Sequence, residues 1–183
     1  MKLVKQKHEE LSRKRTMIER GLERVRVLQK SLDKRQKQLG SLPTQIAGLE
    51  DTVDADDDAG ILKLATLKTK MEFVERDCVK VETALNGGIV DLRAASTTGY
   101  FADLFHDELN RIEEIVIKEL VKTFGPHEAR VQARQSETVR NCARFLNFNC
   151  AGISDPELAA AEALRMISVL LDGTAPGFEL LAK

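Results

Sequence analysis

Residues 4–39 read VKQKHEE LSRKRTM IERGLER VRVLQKS LDKRQKQ L when broken at every seventh position. Each block opens on an aliphatic residue, so Val4, Leu11, Ile18, Val25, Leu32 and Leu39 form one unbroken row. A seven-residue apolar period belongs to a helix held near 3.5 residues per turn against another helix. The first forty residues are therefore expected to be one arm of a coiled coil. Three positions on from each row member stand Lys7, Lys14, Gly21, Leu28, Arg35 and Leu42, so the seam is narrow and half of it is polar.

A second arm follows. Leu64, Leu67, Met71, Val74, Cys78, Val81 and Leu85 alternate steps of three and four without a miss. One of its rows runs back in sevens through Gly60 to Val53 and Ile46. The two rows mirror each other, 4 with 81, 11 with 74 and 18 with 67, every pair adding to 85 about a midpoint between Leu42 and Pro43. Gly40-Ser41-Leu42-Pro43 places a helix-stopping Gly before a Pro that a helix interior rejects, and the turn is predicted near 40–44. The acids Asp54, Asp56, Asp57 and Asp58 before Gly60 predict a further break near 54–60, with a short helix about 44–53 and a long one about 61–86. In that register the acids face Arg24, Arg26 and Lys30.

Beyond the hairpin, Asn86-Gly87-Gly88 is read as a helix end, and 87–99 as a linker with a short helix. Phe101, Leu104, Phe105, Leu109, Ile112, Val116, Leu120 and Phe124 share one face of a helix over 100–124, stopped by Gly125-Pro126. Residues 127–149 read as another helix with Val131, Val139, Cys142, Phe145 and Leu146 turned inward. Asp155-Pro156-Glu157 is a strong helix start, and the last helix, about 156–171, ends at Asp172-Gly173. The tail 173–183 carries Phe178, Leu180 and Leu181 as a docking patch. The expected fold class is all-α: an antiparallel coiled-coil hairpin over 1–86, then a small helical bundle over 100–172.

Composition supports elongated helices over a thick core, since aromatics are 4% against 31% charged residues and tryptophan is absent. No stretch reaches the roughly 18 apolar residues of a membrane span, and the charged N-terminus does not read as a signal peptide or anchor. Three cysteines, Cys78, Cys142 and Cys150, form no disulfide-framework spacing, which fits a reducing, cytoplasmic setting. Charge is segregated: residues 1–39 hold 13 Lys+Arg against 5 Asp+Glu, while residues 40–60 hold six acids and no base.

Residues that announce a chemistry are missing. Asp54, Asp56 and Asp58 occupy the first, third and fifth places of a calcium-loop pattern, but Ala59 and Ala65 stand where Gly and Glu are needed. Cys142 and Cys150 lack the further ligands of a zinc site and read as core thiols. His8, His106 and His127 have no nucleophile or carboxylate arrangement around them, and a catalytic pocket would have to form around Tyr100, His106 and His127. No phosphate loop follows a strand. Neither a catalytic residue, a metal nor a cofactor is expected.

The remaining expectation is a non-enzymatic architectural or assembly protein acting by helix–helix contacts in a homo-oligomer or larger complex, such as a virion or machine subunit or an adaptor. The candidate contact residues are Val4, Leu11, Ile18, Val25, Leu28, Leu32, Leu64, Leu67, Met71 and Val74. The alternative is a nucleic-acid or anionic-surface binder using Arg13, Lys14, Arg15, Arg24 and Arg26 on the first helix, with Arg130 and Arg134 as a second basic stripe. Neither reading involves membrane insertion.

Overall fold

The computed structural model describes residues 5–54 and 57–182. Among them there is no strand: the protein is all-α, with an N-terminal antiparallel helical hairpin followed by a small bundle. The hairpin is α1 (Lys5–Glu50) and α2 (Asp58–Ala95); α3 (Phe101–Leu104), α4 (His106–Leu120), α5 (Pro126–Gln135), α6 (Glu137–Asn147) and α7 (Pro156–Leu171) follow. By contacts the chain divides into two compact units, residues 21–91 and residues 1–20 with 92–183.

In the 21–91 unit Val25, Leu32 and Ile46 of the seven-residue row bury at 5, 7 and 7% exposure, Leu39 is half-buried, and Leu42 of the companion row is 2% exposed. The turn, however, is not at 40–44. α1 runs through Gly40, Ser41, Leu42 and Pro43 to Glu50, and the chain reverses over 51–57. Two glycines and a proline cost roughly 1, 1 and 3 kcal/mol in a helix. Burial of Leu42 and Ile46 recovers roughly 1.5–3 kcal/mol each, enough for tertiary packing to override the local preference. Pro43 itself is exposed, so its ring meets solvent rather than α2.

Between α1 and α2 stand the described acids Asp54 and Asp57, while Asp56 lies outside the described residues. The Asp57 carboxylate accepts the Gly60 N–H at 3.0 Å and so caps α2. A Cβ on Gly60 would collide with that carboxylate and with a Val53 methyl, so those side chains would have to shift to admit one. Cross-helix neighbours now add to about 115: Arg24 with Asp91 at 3.5 Å, Arg35 with Asp77 at 3.7 Å and Glu50 with Lys68 at 2.6 Å. The bend acids therefore do not face Arg24, and no separate helix occupies 44–53. Gly87-Gly88 does not end the second arm, because α2 continues to Ala95. Gly88 is buried, and a Cβ there would sit 3.5 Å from Val25 and 3.7 Å from Leu28, ordinary contact distances.

The second unit is a compact bundle whose core takes Leu11 and Ile18 from α1, both fully buried. Around them lie Leu92, Phe101, Phe105, Ile112, Met166, Ile167 and Leu170, each at 0% exposure. The expected helix over 100–124 is interrupted at Phe105, and the one over 127–149 is interrupted at Ser136, whose hydroxyl accepts the Val139 N–H. That break rotates Val131 outward to 45% exposure while Val139, Cys142 and Leu146 stay buried. α7 starts as expected, with Asp155 accepting the Glu157 and Leu158 N–H groups at 2.9 and 3.3 Å.

The tail is part of this core. Gly173 and Gly177 take positive φ angles of 68° and 84°. They turn a 3-10 segment, Phe178–Ala182, back onto α4, and Phe178 is 1% exposed with its ring 5.8 Å from that of Phe105. The bundle thus extends past 172 and begins inside α1, because aromatic burial there outweighs the freedom of a short glycine-containing segment.

Candidate interaction surface

The contact residues expected from sequence divide by burial. Leu11 and Ile18 are consumed by the bundle, and Val25 and Leu32 by the hairpin, so none of the four is open to a partner. Leu28, Leu64, Leu67, Met71 and Val74 are half-buried, and Val4 lies outside the described residues. The seam of a two-helix hairpin covers only one side of each residue, which is why the α2 row remains partly wet.

A different face of α2 is open, and the seven-residue row gave no hint of it. Leu62 and Phe73 are 70 and 63% exposed, and with Ala65, Thr66 and Thr69 between them they line a shallow groove along the helix. Leu62, Thr66, Thr69 and Phe73 step by four, three and four, so they lie on one stripe. The threonines are less polar there than their names suggest. Thr66 donates its hydroxyl to the Leu62 carbonyl at 2.8 Å and Thr69 to the Ala65 carbonyl at 2.9 Å, so both donors are already used. Lys70 and Asp77 flank the stripe. The signal existed in the sequence as a second, weaker heptad stripe, masked by the two threonines.

The basic residues proposed for anions are dispersed and largely engaged. Arg15 pairs with Glu19 at 2.9 Å, Arg24 with Asp91 at 3.5 Å and Arg134 with Glu113 at 2.9 Å. Arg26 also has a partner interaction. Lys14 is half-buried with Nζ 4.9 Å above the Tyr100 ring, and burial lowers its pKa. Arg13 is exposed beside that pair, and Arg130 is exposed on α5 with His127 and Arg134. A lysine cluster not singled out as a site is more open: Lys30, Lys34 and Lys37 line one groove on α1 with Asp33, Gln38 and Ser41.

Tyr100, His106 and His127 are not brought together. Tyr100 lines a groove with Glu9, Glu10, Arg13 and Lys14, and burial, with Glu10 adding to it, pushes its phenol up to about 12. His106 bonds Asn110 on its own helix at 2.9 Å. Burial raises the Cys142 thiol to about 11, with Glu179 contributing, and also raises the Cys150 thiol, which lies 3.8 Å from the Met166 sulfur. Such thiols are protonated and poor nucleophiles at neutral pH.

Sequence gave no warning of Lys7 and Glu108, which are 101 positions apart. They form an ion pair at 2.6 Å with side-chain exposures of 17 and 11%, and Lys7 Nζ also lies 5.2 Å from the Phe105 ring centre. Among the described residues no group of three or more His, Cys, Asp or Glu is placed to hold a metal ion. No described helix is long and apolar enough to cross a membrane. No protein-family model, curated protein or solved structure matches this chain.

Proposed function

We propose that this chain is a non-enzymatic architectural protein that works by helix–helix contact, in a homo-oligomer or a larger complex. The observation that carries this reading is the outer stripe of α2, where Leu62 and Phe73 stand 70 and 63% exposed over two threonines whose hydroxyls are already bonded. An apolar stripe of this kind, one helical face wide and ending in an aromatic, suits a partner helix laid along it. Burying an exposed Phe side chain contributes about 1.5–3 kcal/mol, so Phe73 is the expected anchor. The half-buried seam residues Leu64, Leu67 and Met71 lie on the same helix and leave its contact surface incomplete.

Phosphate binding by the sequence-named arginines draws less support. Arg15, Arg24 and Arg134 each have a carboxylate within 3.5 Å. Neutralising phosphates would require giving up those partners.

A photo-crosslinker at position 73, in the full chain, tests the reading. A discrete crosslinked product, lost on Leu62→Asp, supports it. A single-chain mass at micromolar concentration with no crosslinked product from the native source refutes it.

A further inference from the structure

The outer face of α1 carries its own pattern. Lys34, Lys37, Ser41, Thr44, Gly48 and Asp51 step alternately by three and four, and all six are exposed. Lys30 extends the row at one end and Asp54 lies just beyond the other. The stripe therefore has three lysines and Asp33 at one end, for a net positive charge, a small and neutral middle and an anionic other end.

Among the described residues none of these charges has an oppositely charged partner within 4 Å. Lys30, Lys34, Lys37, Asp51 and Asp54 form no ion pair among the described residues, whereas Arg24, Arg35 and Glu50 of the same hairpin do. The two ends cannot reach each other, because about 20 Å of helix separates Lys37 from Glu50, the last residue of α1, and Asp51 follows it. The middle is equally unexplained by the chain's own packing. Gly40 and Gly48 weaken the helix, yet a Cβ at either would meet nothing within 4 Å. Without a Cβ at either position, another backbone can approach this part of the helix closely.

We propose that this face of α1 docks against the same face of a second copy, antiparallel, about a twofold axis near Ser41–Thr44. Lys34 of each copy then lies opposite Asp51 of the other, with Lys37 one turn further in and Lys30 towards Asp54, and the Gly40–Gly48 segments cross near the centre. The pairing is isologous and closed, so each contact occurs twice. It rests on the assembly reading above and names one partner for it, on a different helix from the Phe73 stripe.

The test measures mass in solution and Kd at low and high salt for the full chain. The intact protein is expected to dimerise, with Kd weakened about tenfold at high salt as exposed pairs are screened. Lys34→Glu with Lys37→Glu, or Asp51→Lys with Asp54→Lys, should each weaken the dimer on the order of a hundredfold by setting like charges together. Mixed one to one, those two variants should recover a heterodimer. Thr44→Cys should link to itself through a short bis-maleimide, and Thr83→Cys on α2 should not.

A single-chain mass at low salt overturns the proposal, and the assembly reading survives it if the position-73 crosslink still forms. A dimer that both charge reversals leave intact, or equal crosslinking at positions 44 and 83, also overturns it. Retention of labelled duplex DNA or RNA by a monomer, lost on Lys34→Glu with Lys37→Glu, would assign the lysines to nucleic acid instead.

Discussion

Replacing Glu108 by Ala removes the carboxylate that sits 2.6 Å from Lys7 Nζ in the bundle. At an effective dielectric constant of about 20, two charges that close attract by roughly 6 kcal/mol, most of which offsets the cost of taking both out of water. Deleting one partner leaves that cost uncompensated for the other. Breaking a buried pair typically costs about 3–5 kcal/mol. Here the 17 and 11% exposures let water and side-chain movement recover part of it, and the Phe105 ring 5.2 Å away remains as a weak partner. The expected loss is therefore about 2–3 kcal/mol.

Tyr100 is the single tyrosine, tryptophan is absent, and Tyr100 belongs to the same unit as the pair, so its fluorescence follows that unit alone. With a urea slope of about 1–3 kcal/mol/M, the midpoint should fall by about 1–2 M. Lys7→Met combined with Glu108→Leu should restore most of it, because replacing both charges removes the desolvation problem. A Glu108→Ala midpoint within about 0.2 M of the unaltered protein would refute the reasoning.

Three further outcomes follow from particular contacts. Gly60→Ala should destabilise the 21–91 unit by roughly 1–3 kcal/mol through overpacking against Val53 and Asp57, while Gly88→Ala should be neutral or stabilising; equal urea midpoints for the two would contradict the bend geometry. Ile18→Asp should cost several kcal/mol because Ile18 is fully buried, and Leu67→Asp less because Leu67 is half-exposed, an order that denaturation curves check directly. The Tyr100 phenol, raised to about 12 from the ordinary 10.0, should titrate late by phenolate absorbance. The unfolded chain releases that proton first, so this contribution to stability is present below pH 10 and lost as pH rises towards 12; a midpoint near 10 in the folded protein would show the phenol to be solvated.

The period of the hairpin was legible in the residues, but its register was not. Val25 with Gly88 and Val53 with Gly60 add to 113 rather than 85, a shift of 28, which is four heptads. Such a shift brings the same rows face to face, so seven-residue periodicity cannot tell the two apart and only turn chemistry can. Gly40 and Pro43 are strong turn signals locally, but Leu42 between them and Ile46 just beyond are held on the seam by packing. Asp57 and Gly60 read as a break in an arm because each is a modest signal alone; joined as cap and close approach, they make the reversal.

The bundle shows the same division. The Asp155-Pro156 start of α7 was readable because capping is local, whereas docking of Phe178 on Phe105 joins segments some seventy positions apart. Of the candidate contact residues, the seam was visible by period, but the share of it taken up by the bundle, Leu11 and Ile18, was not. The open stripe on α2 is hidden in sequence by Thr66 and Thr69, whose hydroxyls count as polar until their bonds to the helix backbone are known.

Both open faces exist only if α1 runs unbroken through Gly40–Pro43 and the chain reverses at 51–57. Spin labels measure this directly by electron–electron distance at two pairs of exposed sites, Arg24 with Asp91 and Arg24 with Ile61, diluted with unlabelled protein so that only distances within one chain are read. The account predicts a short distance for 24–91, whose native side chains lie 3.5 Å apart, and about 45 Å for 24–61, thirty helical positions further along α2. A short 24–61 distance with a long 24–91 distance would place the turn at Leu42–Pro43 and contradict it.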